Sequence, residues 1–196
     1  MIAAAKIKLL QEQIARNDDA TAYKELFLSF YNPLLRFAVN LVKSKEQAEE
    51  VVSDVFINIW EKRKRMNSIS NLKVYLFIAV KNTALNYISR QNESLTDNVE
   101  EAGMEFKSIY FDPEQLMVTA EMVARIKDAI DQLPPKCKLI FKLIKEEELK
   151  YRDVAEILGV SVKTVESQIA IALRKIGNTI NFDVAKAIAA PSLHHK

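Results

Sequence analysis

The chain has 196 residues, 49% of them hydrophobic and 28% charged, which is the balance of a soluble globular protein with one large or two small domains. Three glycines and five prolines leave little material for β-turns, the single Cys137 excludes an internal disulfide, and a net charge of +2 does not by itself indicate nucleic acid. Nothing resembles a signal peptide, and no apolar run approaches the roughly 20 residues of a membrane span, so we expect an all-helical cytoplasmic protein.

The first two predicted helices cover residues 5–16 and 20–43. Apolar side chains recur at helical spacing along the second one, from Tyr23 and Leu26 to Leu41. Pro33 lies inside this pattern. Because proline lacks a backbone donor and clashes with the preceding turn, we expect a kink or a restart near Asn32.

A third helix is predicted after Ser44, a suitable N-cap with Gln47 placed for a capping box. Its apolar face consists of Ala48, Val51, Val52, Val55, Phe56, Ile59 and Trp60. Its outer face consists of Glu46, Glu49, Glu50, Asp54 and Asn58. This acidic face is either a solvated surface that complements the helix dipole or a docking surface for a basic partner, and the sequence leaves both open. The basic run 62–65 follows it.

A fourth helix is predicted over residues 71–90, with Ser70 or Asn71 as its cap. One buried stripe is expected at Leu72, Tyr75, Leu76, Ala79 and Thr83. Elsewhere on the helix lie Lys73, Phe77, Lys81, Asn82, Asn86 and Arg90. Interleaved aromatics, amides and cations are typical of a single-strand binder, in which aromatics stack on bases and cations contact phosphates. The alternative is ordinary core packing of the aromatics.

An acidic stretch separates two basic blocks. Residues 96–118 carry one basic against six acidic side chains, whereas residues 1–95 carry 14 against 10 and residues 119–196 carry 13 against 10. The stretch contains Gly103 and Pro113 and has no sustained helical periodicity. It predicts a linker at 96–118 between two domains, 1–95 and 119–180, with a tail at 181–196. Each domain has a possible phosphate-binding surface.

The segment 149–176 has the pattern of a helix-turn-helix. Apolar Val154 and Ile157 mark the inner face of a first helix, Gly159 allows a left-handed turn, and Ser161 is a suitable N-cap. The second helix repeats its buried face at Val165, Ile169, Ala172 and Ile176. Its other face carries small and polar side chains that a major groove accepts, so DNA binding is favoured over an ordinary helical hairpin.

Both halves resemble the extracytoplasmic-function sigma factors of bacterial RNA polymerase. Residues 20–92 resemble sigma region two, through EQAEEVVSDVFINIWEKR and NLKVYLFIAVKNTALNYISR. Residues 119–178 resemble region four, through IDQLPPKCKLIFKLIKEEELKYRDVAEILGVSVKTVESQI. Many regulators share a helix-turn-helix, but this order of motifs is much more specific. The chain is identified as a member of this family, with two small helical domains joined by a linker.

The resemblance implies three surfaces and three partners: core RNA polymerase, promoter DNA and an anti-sigma factor. Docking on a helix hairpin in the polymerase clamp is expected through Glu49, Glu50, Asp54, Asn58 and Trp60. Melting and holding the single-stranded −10 element is expected through Lys62, Arg63, Ser70, Asn71, Lys73, Tyr75, Lys81, Asn82, Asn86 and Arg90. Reading of the duplex −35 element is expected through Lys163, Thr164, Glu166, Ser167, Gln168, Ile171, Arg174 and Lys175.

Some residues depart from the family pattern. Glu148 and Lys150 stand where members often carry glycine and then serine or threonine, so a helix cap worth ~1 kcal/mol is expected to be lost. Glu166 and Ile171 stand where basic side chains are common in the recognition helix. A modest −35 affinity, or one that depends on polymerase, is therefore expected. The linker is expected to thread the RNA-exit path.

Other functional classes fit less well. The chain has no Gly-rich phosphate loop, no metal-ligand cluster and no internal histidine, so we expect no catalytic residue, no metal ion and no cofactor. A stand-alone helix-turn-helix regulator, whose N-terminal helices sense a ligand or dimerise, leaves the composition of residues 71–90 unexplained. An adaptor that occupies polymerase or an anti-sigma factor is the third alternative.

Overall fold

The computed structural model describes residues 3–94 and 120–179, which form two compact units. The predicted linker and tail lie outside the described residues. The first unit contains α1 (Ala4–Asn17), α2 (Ala20–Val42), α3 (Lys45–Glu61), a 3₁₀ helix (Arg63–Ser68) and α4 (Leu72–Ser94). The second contains α5 (Ala120–Asp131), α6 (Pro135–Lys145), α7 (Tyr151–Leu158) and α8 (Val162–Thr179). Both described parts are helical without a strand, which confirms the predicted all-helical class.

Helix α2 lies at the centre of the first unit, where it packs against α1, α3 and α4. Its buried face runs through Leu26, Phe30 and Leu34 to Phe37. Of the kink or restart predicted near Asn32, the restart is wrong, because α2 is one helix from Ala20 to Val42 with Pro33 inside it. Burial of the flanking apolar side chains offsets a helix-interior proline penalty of about 3 kcal/mol.

Helix α3 confirms its predicted pattern. Ser44 Oγ accepts a hydrogen bond from the backbone amide of Gln47 at 3.3 Å and so caps the helix. The buried side chains are Ala48, Val51, Val52, Val55, Phe56 and Ile59. Trp60, at the end of the same face, is half-buried. The acidic face opposite is therefore left towards solvent.

The buried stripe of α4 differs from the predicted one. Phe77, which the sequence placed outside the stripe, is fully buried and packs edge-on against Phe37 with ring centroids 5.2 Å apart. Tyr75, which the sequence placed inside the stripe, is 42% exposed. Since α4 packs against both α2 and α3, its buried surface is wider than a single stripe and is shifted around the helix.

Helix α8 is the centre of the second unit and contacts α5, α6 and α7. The predicted helix-turn-helix is confirmed at its turn: Gly159 adopts φ 68° and ψ 39°, and Ser161 Oγ accepts from the backbone amide of Thr164 at 3.0 Å. The four predicted core side chains of α8 are all buried: Val165, Ile169, Ala172 and Ile176. One face of α8 therefore packs into the core of the second unit, and the opposite face is exposed.

The start of α7 keeps part of a cap. Lys150 is the N-cap residue, and its ammonium group has no lone pair to accept from the helix. The Asp153 carboxylate nevertheless accepts from the Lys150 backbone amide at 3.2 Å, which is the reverse half of a capping box. The expected loss of the cap is thus only partial.

A Gly159→Ala substitution is expected to lower stability by about 1–2 kcal/mol, because a β-carbon clashes in the left-handed conformation. Urea unfolding of the full chain, followed by a probe in the second unit, measures this. The matched control is Ala170→Gly on the exposed face of α8, for which about 1 kcal/mol is expected from helix propensity alone. A fully stable Gly159→Ala protein contradicts the assigned turn.

Within residues 3–94 and 120–179, no helix is long and apolar enough to cross a membrane.

Candidate nucleic-acid interface

One side of α4 presents a strip of polar and aromatic side chains. Asn71, Tyr75, Asn82 and Asn86 are all exposed, and steps of four, seven and four residues place them on one face of the helix. Asn71 is also the helix cap, since its Oδ1 accepts from the Val74 amide at 3.2 Å. We call these four residues the α4 strip. Its amides can bond base edges, and its tyrosine ring is free to stack.

The predicted cations of the first unit differ in exposure. Arg90 and Lys62 are exposed, whereas Lys73 and Lys81 are half-buried beside the helix core. Ser70 is exposed and immediately precedes the strip. Ser70, Asn71 and Lys73 also line a groove against α1, a juxtaposition that the sequence did not predict.

Arg63, one of the predicted −10 residues, has several partners inside its own unit. Its guanidinium is ion-paired with the Asp18 carboxylate, donates to the Trp60 carbonyl at 2.9 Å, and lies 4.6 Å from the Trp60 ring centroid. These contacts tie the end of α3 to the junction of α1 and α2. Arg63 therefore has a structural role, whereas Lys62, Lys64 and Arg65 are exposed beside it.

The acidic side chains of α3 differ in whether they have a side-chain partner. The Glu49 carboxylate is 3.8 Å from the Lys45 ammonium, and Glu50 Oε2 accepts from the Tyr87 hydroxyl at 2.8 Å. That hydrogen bond is the main cause that raises the pKa of Tyr87. Asp54 and Asn58 are exposed and lie one helical turn apart, and the Asn58 amide donates to the Asp54 backbone carbonyl at 2.9 Å. Asp54 is thus the acidic group most available to a partner.

Trp60 belongs to an aromatic cluster that sequence reasoning did not assign. Its ring lies 4.8 Å from that of Tyr23, which in turn contacts Phe56 edge-on at 6.3 Å. The Tyr23 hydroxyl donates to the Phe56 carbonyl at 2.7 Å. The helical spacing of Tyr23 marked it as a core residue, but the hydrogen bond to α3, 33 residues away, had no local signal.

The stability of the first unit is expected to fall at high pH. Burial raises the pKa of Tyr23 to about 12, because the phenolate loses hydration. The unfolded phenol ionises near pH 10, so the contribution of Tyr23 is fully present below about pH 10 and is lost as the pH rises towards 12. Between about pH 9 and pH 11, the midpoint of urea unfolding is expected to fall less for Tyr23→Phe than for the wild type. Equal losses in the two proteins contradict this.

Helix α8 presents the predicted recognition surface. Lys163, Ser167 and Arg174 lie opposite its buried face and are exposed. Glu166 and Lys175 are also exposed, on either side of them. This is a narrow polar face on a rigid helix, which is the geometry of a major-groove reader.

The other predicted residues of α8 lie at its flank. Thr164, Gln168 and Ile171 are half-buried. The Thr164 hydroxyl lies 2.8 Å from that of Ser161, within the cap, and the backbone carbonyl of Gln168 accepts from the buried Cys137 thiol at 3.2 Å. Thr164 was expected to contact phosphates, but its hydroxyl belongs to the helix cap. Gln168 and Ile171 were expected to face bases, and both are only partly accessible.

Two family models match the chain, one in each unit. Sigma-70 region 2 matches residues 26–94, and sigma-70 region 4 matches residues 124–176. The first match contains α3 and the α4 strip, and the second contains the helix-turn-helix. Helix α1 precedes both.

Curated relatives match most of the chain. The RNA polymerase sigma-H factor of Pseudomonas aeruginosa is 27% identical over 177 residues, which cover 86% of this chain and 91% of that protein. The ECF RNA polymerase sigma-E factor of Haemophilus influenzae is 29% identical over 170 residues, with coverage of 83% and 89%.

Solved structures share the fold. A chain from the complex of the sigma factor RpoE with the anti-sigma factor NepR from Bartonella quintana aligns with a TM-score of 0.54 at 24% identity, covering 82% of this chain and 98% of that one. The structure of CnrH with the cytosolic domain of CnrY aligns with a TM-score of 0.53 at 18% identity, covering 91% and 99%.

Proposed function

Since this chain belongs to the sigma-70 family of RNA polymerase sigma factors, we propose that its two units recognise a promoter at two separate elements. The first unit binds core polymerase and single-stranded −10 DNA, and the second reads duplex −35 DNA. The observation that carries this proposal is the α4 strip. Exposed amides and an exposed tyrosine on one helix face suit unstacked bases, and a stand-alone duplex-binding regulator has no need of them.

The first unit promotes melting through differential binding. Bases are available to the α4 strip only after they leave the duplex, so contacts to them stabilise the open state and shift the equilibrium towards it. Tyr75 supplies the stacking surface, Asn82 and Asn86 bond base edges, and the exposed cations Lys62 and Arg90 contact phosphates. No nucleotide hydrolysis is required, and we propose that the chain has no enzymatic activity of its own.

The second unit binds the −35 element through α8. Lys163 and Arg174 position the helix on phosphates, and Ser167 faces the bases from the middle of the exposed face. Gln168 and Glu166 contact base edges on either side of Ser167. Because Glu166 adds a negative charge beside the phosphates, this unit alone binds weakly and depends on polymerase to hold it at the promoter.

The acidic face of α3 docks on core polymerase. Asp54 and Asn58 are exposed on a helix whose opposite face is fully buried, so the surface is rigid. Exposed acidic groups contribute steering and orientation to such a contact more than bulk affinity. Trp60 lies behind the surface, in the cluster with Tyr23.

An anti-sigma factor and a cytoplasmic location complete the proposal. The sigma factor RpoE was solved with the anti-sigma factor NepR, and a partner of this class is proposed to control the present chain. Core polymerase and promoter DNA place its action in the cytoplasm.

Reconstitution with purified core polymerase tests the proposal. We expect the full chain to bind core polymerase, and the assembled holoenzyme, but neither component alone, to initiate run-off transcription from a subset of a randomised promoter library. Specific duplex binding without polymerase supports the stand-alone regulator instead. Binding to core polymerase with no initiation from any template supports the adaptor.

A further inference from the structure

A groove lined by both polar and apolar side chains lies between α1, the 3₁₀ helix and the start of α4. It has a volume of about 710 Å³, within the range of about 300–1,000 Å³ that is typical of ligand sites. From α4 and the residues before it, the groove is lined by Ser70, Asn71 and Lys73. It therefore opens directly beside the first residue of the α4 strip.

The opposite wall is α1, which supplies charged side chains as well as the apolar Ala4, Ala5 and Ile7. Lys8 and Arg16 are exposed and line the groove, together with Glu12. Lys73 faces them from the α4 side. Three cations against one carboxylate give the groove a net positive charge, which suits an anionic ligand.

Gln11 holds the two walls together. Its side chain is 6% exposed, and its Nε2 donates to the backbone carbonyls of Met66 and, at 2.8 Å, Ile69. A buried amide that bonds two carbonyls fixes their positions, since either one left without a partner is costly. The loop that carries Ser70 and Asn71 is thus set by a residue of α1, outside both matched regions.

We propose that this groove binds the sugar-phosphate backbone of single-stranded DNA as the strand passes the α4 strip. Lys8 and Arg16 contact phosphates, and Gln11 is a positioning residue that holds the segment 66–71, which is the end of the 3₁₀ helix and the residues after it, against α1. The proposal rests on the −10 role of the first unit. It extends that site to a helix that the family resemblance did not include.

Salt-dependent binding to the holoenzyme tests this proposal. The probe is a labelled single-stranded oligonucleotide that carries a −10 sequence recovered from the promoter library. For the double variant Lys8→Ala/Arg16→Ala, the slope of log K against log salt is expected to be shallower by about 1.4, or about 0.7 for each lost phosphate contact. The affinity at low salt is expected to fall about fivefold, the scale of two exposed charge contacts.

Two further variants separate charge from position. Lys6→Ala removes an α1 cation that is paired with Glu25 at 3.1 Å, and it is expected to leave both quantities unchanged. Gln11→Leu is expected to lower the affinity about fivefold, since one hydrogen bond contributes about 1 kcal/mol, with an unchanged salt slope.

The outcomes distinguish the two proposals. If the wild-type holoenzyme does not bind the oligonucleotide, the −10 role itself fails. If the wild type binds, but the double variant keeps the wild-type affinity and slope, the groove is not part of the DNA site. An equal loss in Lys6→Ala also overturns the groove proposal, because the effect is then one of overall charge.

Discussion

Replacement of Tyr75 by alanine is expected to weaken binding of single-stranded −10 DNA to the holoenzyme by about 5- to 150-fold. The ring is 42% exposed on the α4 strip, and stacking of one base on an aromatic side chain contributes about 1–3 kcal/mol. The same variant is expected to lower the fraction of open complexes on duplex promoters. Fluorescence anisotropy with a labelled oligonucleotide measures the first effect, and permanganate reactivity of unpaired thymines measures the second.

Two controls show whether the ring itself is responsible. Tyr75→Phe keeps the stacking surface, so it is expected to retain most of the affinity. Tyr151→Ala removes a tyrosine of similar exposure, 38%, in the second unit and leaves oligonucleotide binding unchanged. If Tyr75→Ala binds the oligonucleotide with wild-type affinity, stacking of a base on Tyr75 is contradicted.

Charge reversal at Asp54 is expected to have the other large effect. Asp54→Lys places a positive charge at the centre of the α3 face that is proposed to meet a basic polymerase surface, and like charges brought together cost several kcal/mol. We expect the affinity for core polymerase to fall by about 10- to 100-fold, with a slower association rate. Competition against a labelled holoenzyme at low and high salt measures both quantities.

The matched control for this variant is Asp128→Lys, which reverses an exposed carboxylate on α5 of the second unit. It is expected to bind core polymerase normally. Asp54→Asn removes the charge without reversing it and is expected to show a smaller loss with weaker salt dependence. If Asp54→Lys binds as tightly as the wild type, docking through this face is contradicted.

Local patterns predicted the parts of the fold in which a helix has one buried face. The six apolar positions of α3 from Ala48 to Ile59, and the four of α8 from Val165 to Ile176, are all buried as expected. Gly159 and Ser161 also behave as their chemistry predicts, since a left-handed turn and an N-cap depend on one residue each.

Helix α4 was less predictable because two helices pack against it. A single stripe at 3.6-residue spacing cannot describe a surface that is buried over a wider arc. As a result, the predicted burial of two residues is reversed: Phe77 is in the core and Tyr75 is exposed. That exchange strengthens the candidate site, since an exposed tyrosine is available for stacking and a buried phenylalanine is not.

Contacts between distant residues carried no sequence signal. Arg63 pairs with Asp18 across 45 residues, Gln11 bonds Ile69 across 58, and Tyr87 bonds Glu50 across 37. Each contact changes the role that is assigned to a residue of a candidate site. Arg63 and Glu50 become partly structural, and Gln11 joins α1 to the loop before the α4 strip. Only the tertiary arrangement could reveal them.

Run-off transcription from a randomised promoter library tests the central claim, that two recognition units in one chain direct polymerase to a promoter. Transcripts are expected only when core polymerase and the full chain are both present. The selected templates are expected to share two conserved elements separated by a fixed spacing. Transcripts that require the chain but share only one element, or no transcripts despite stable binding to core polymerase, contradict the account.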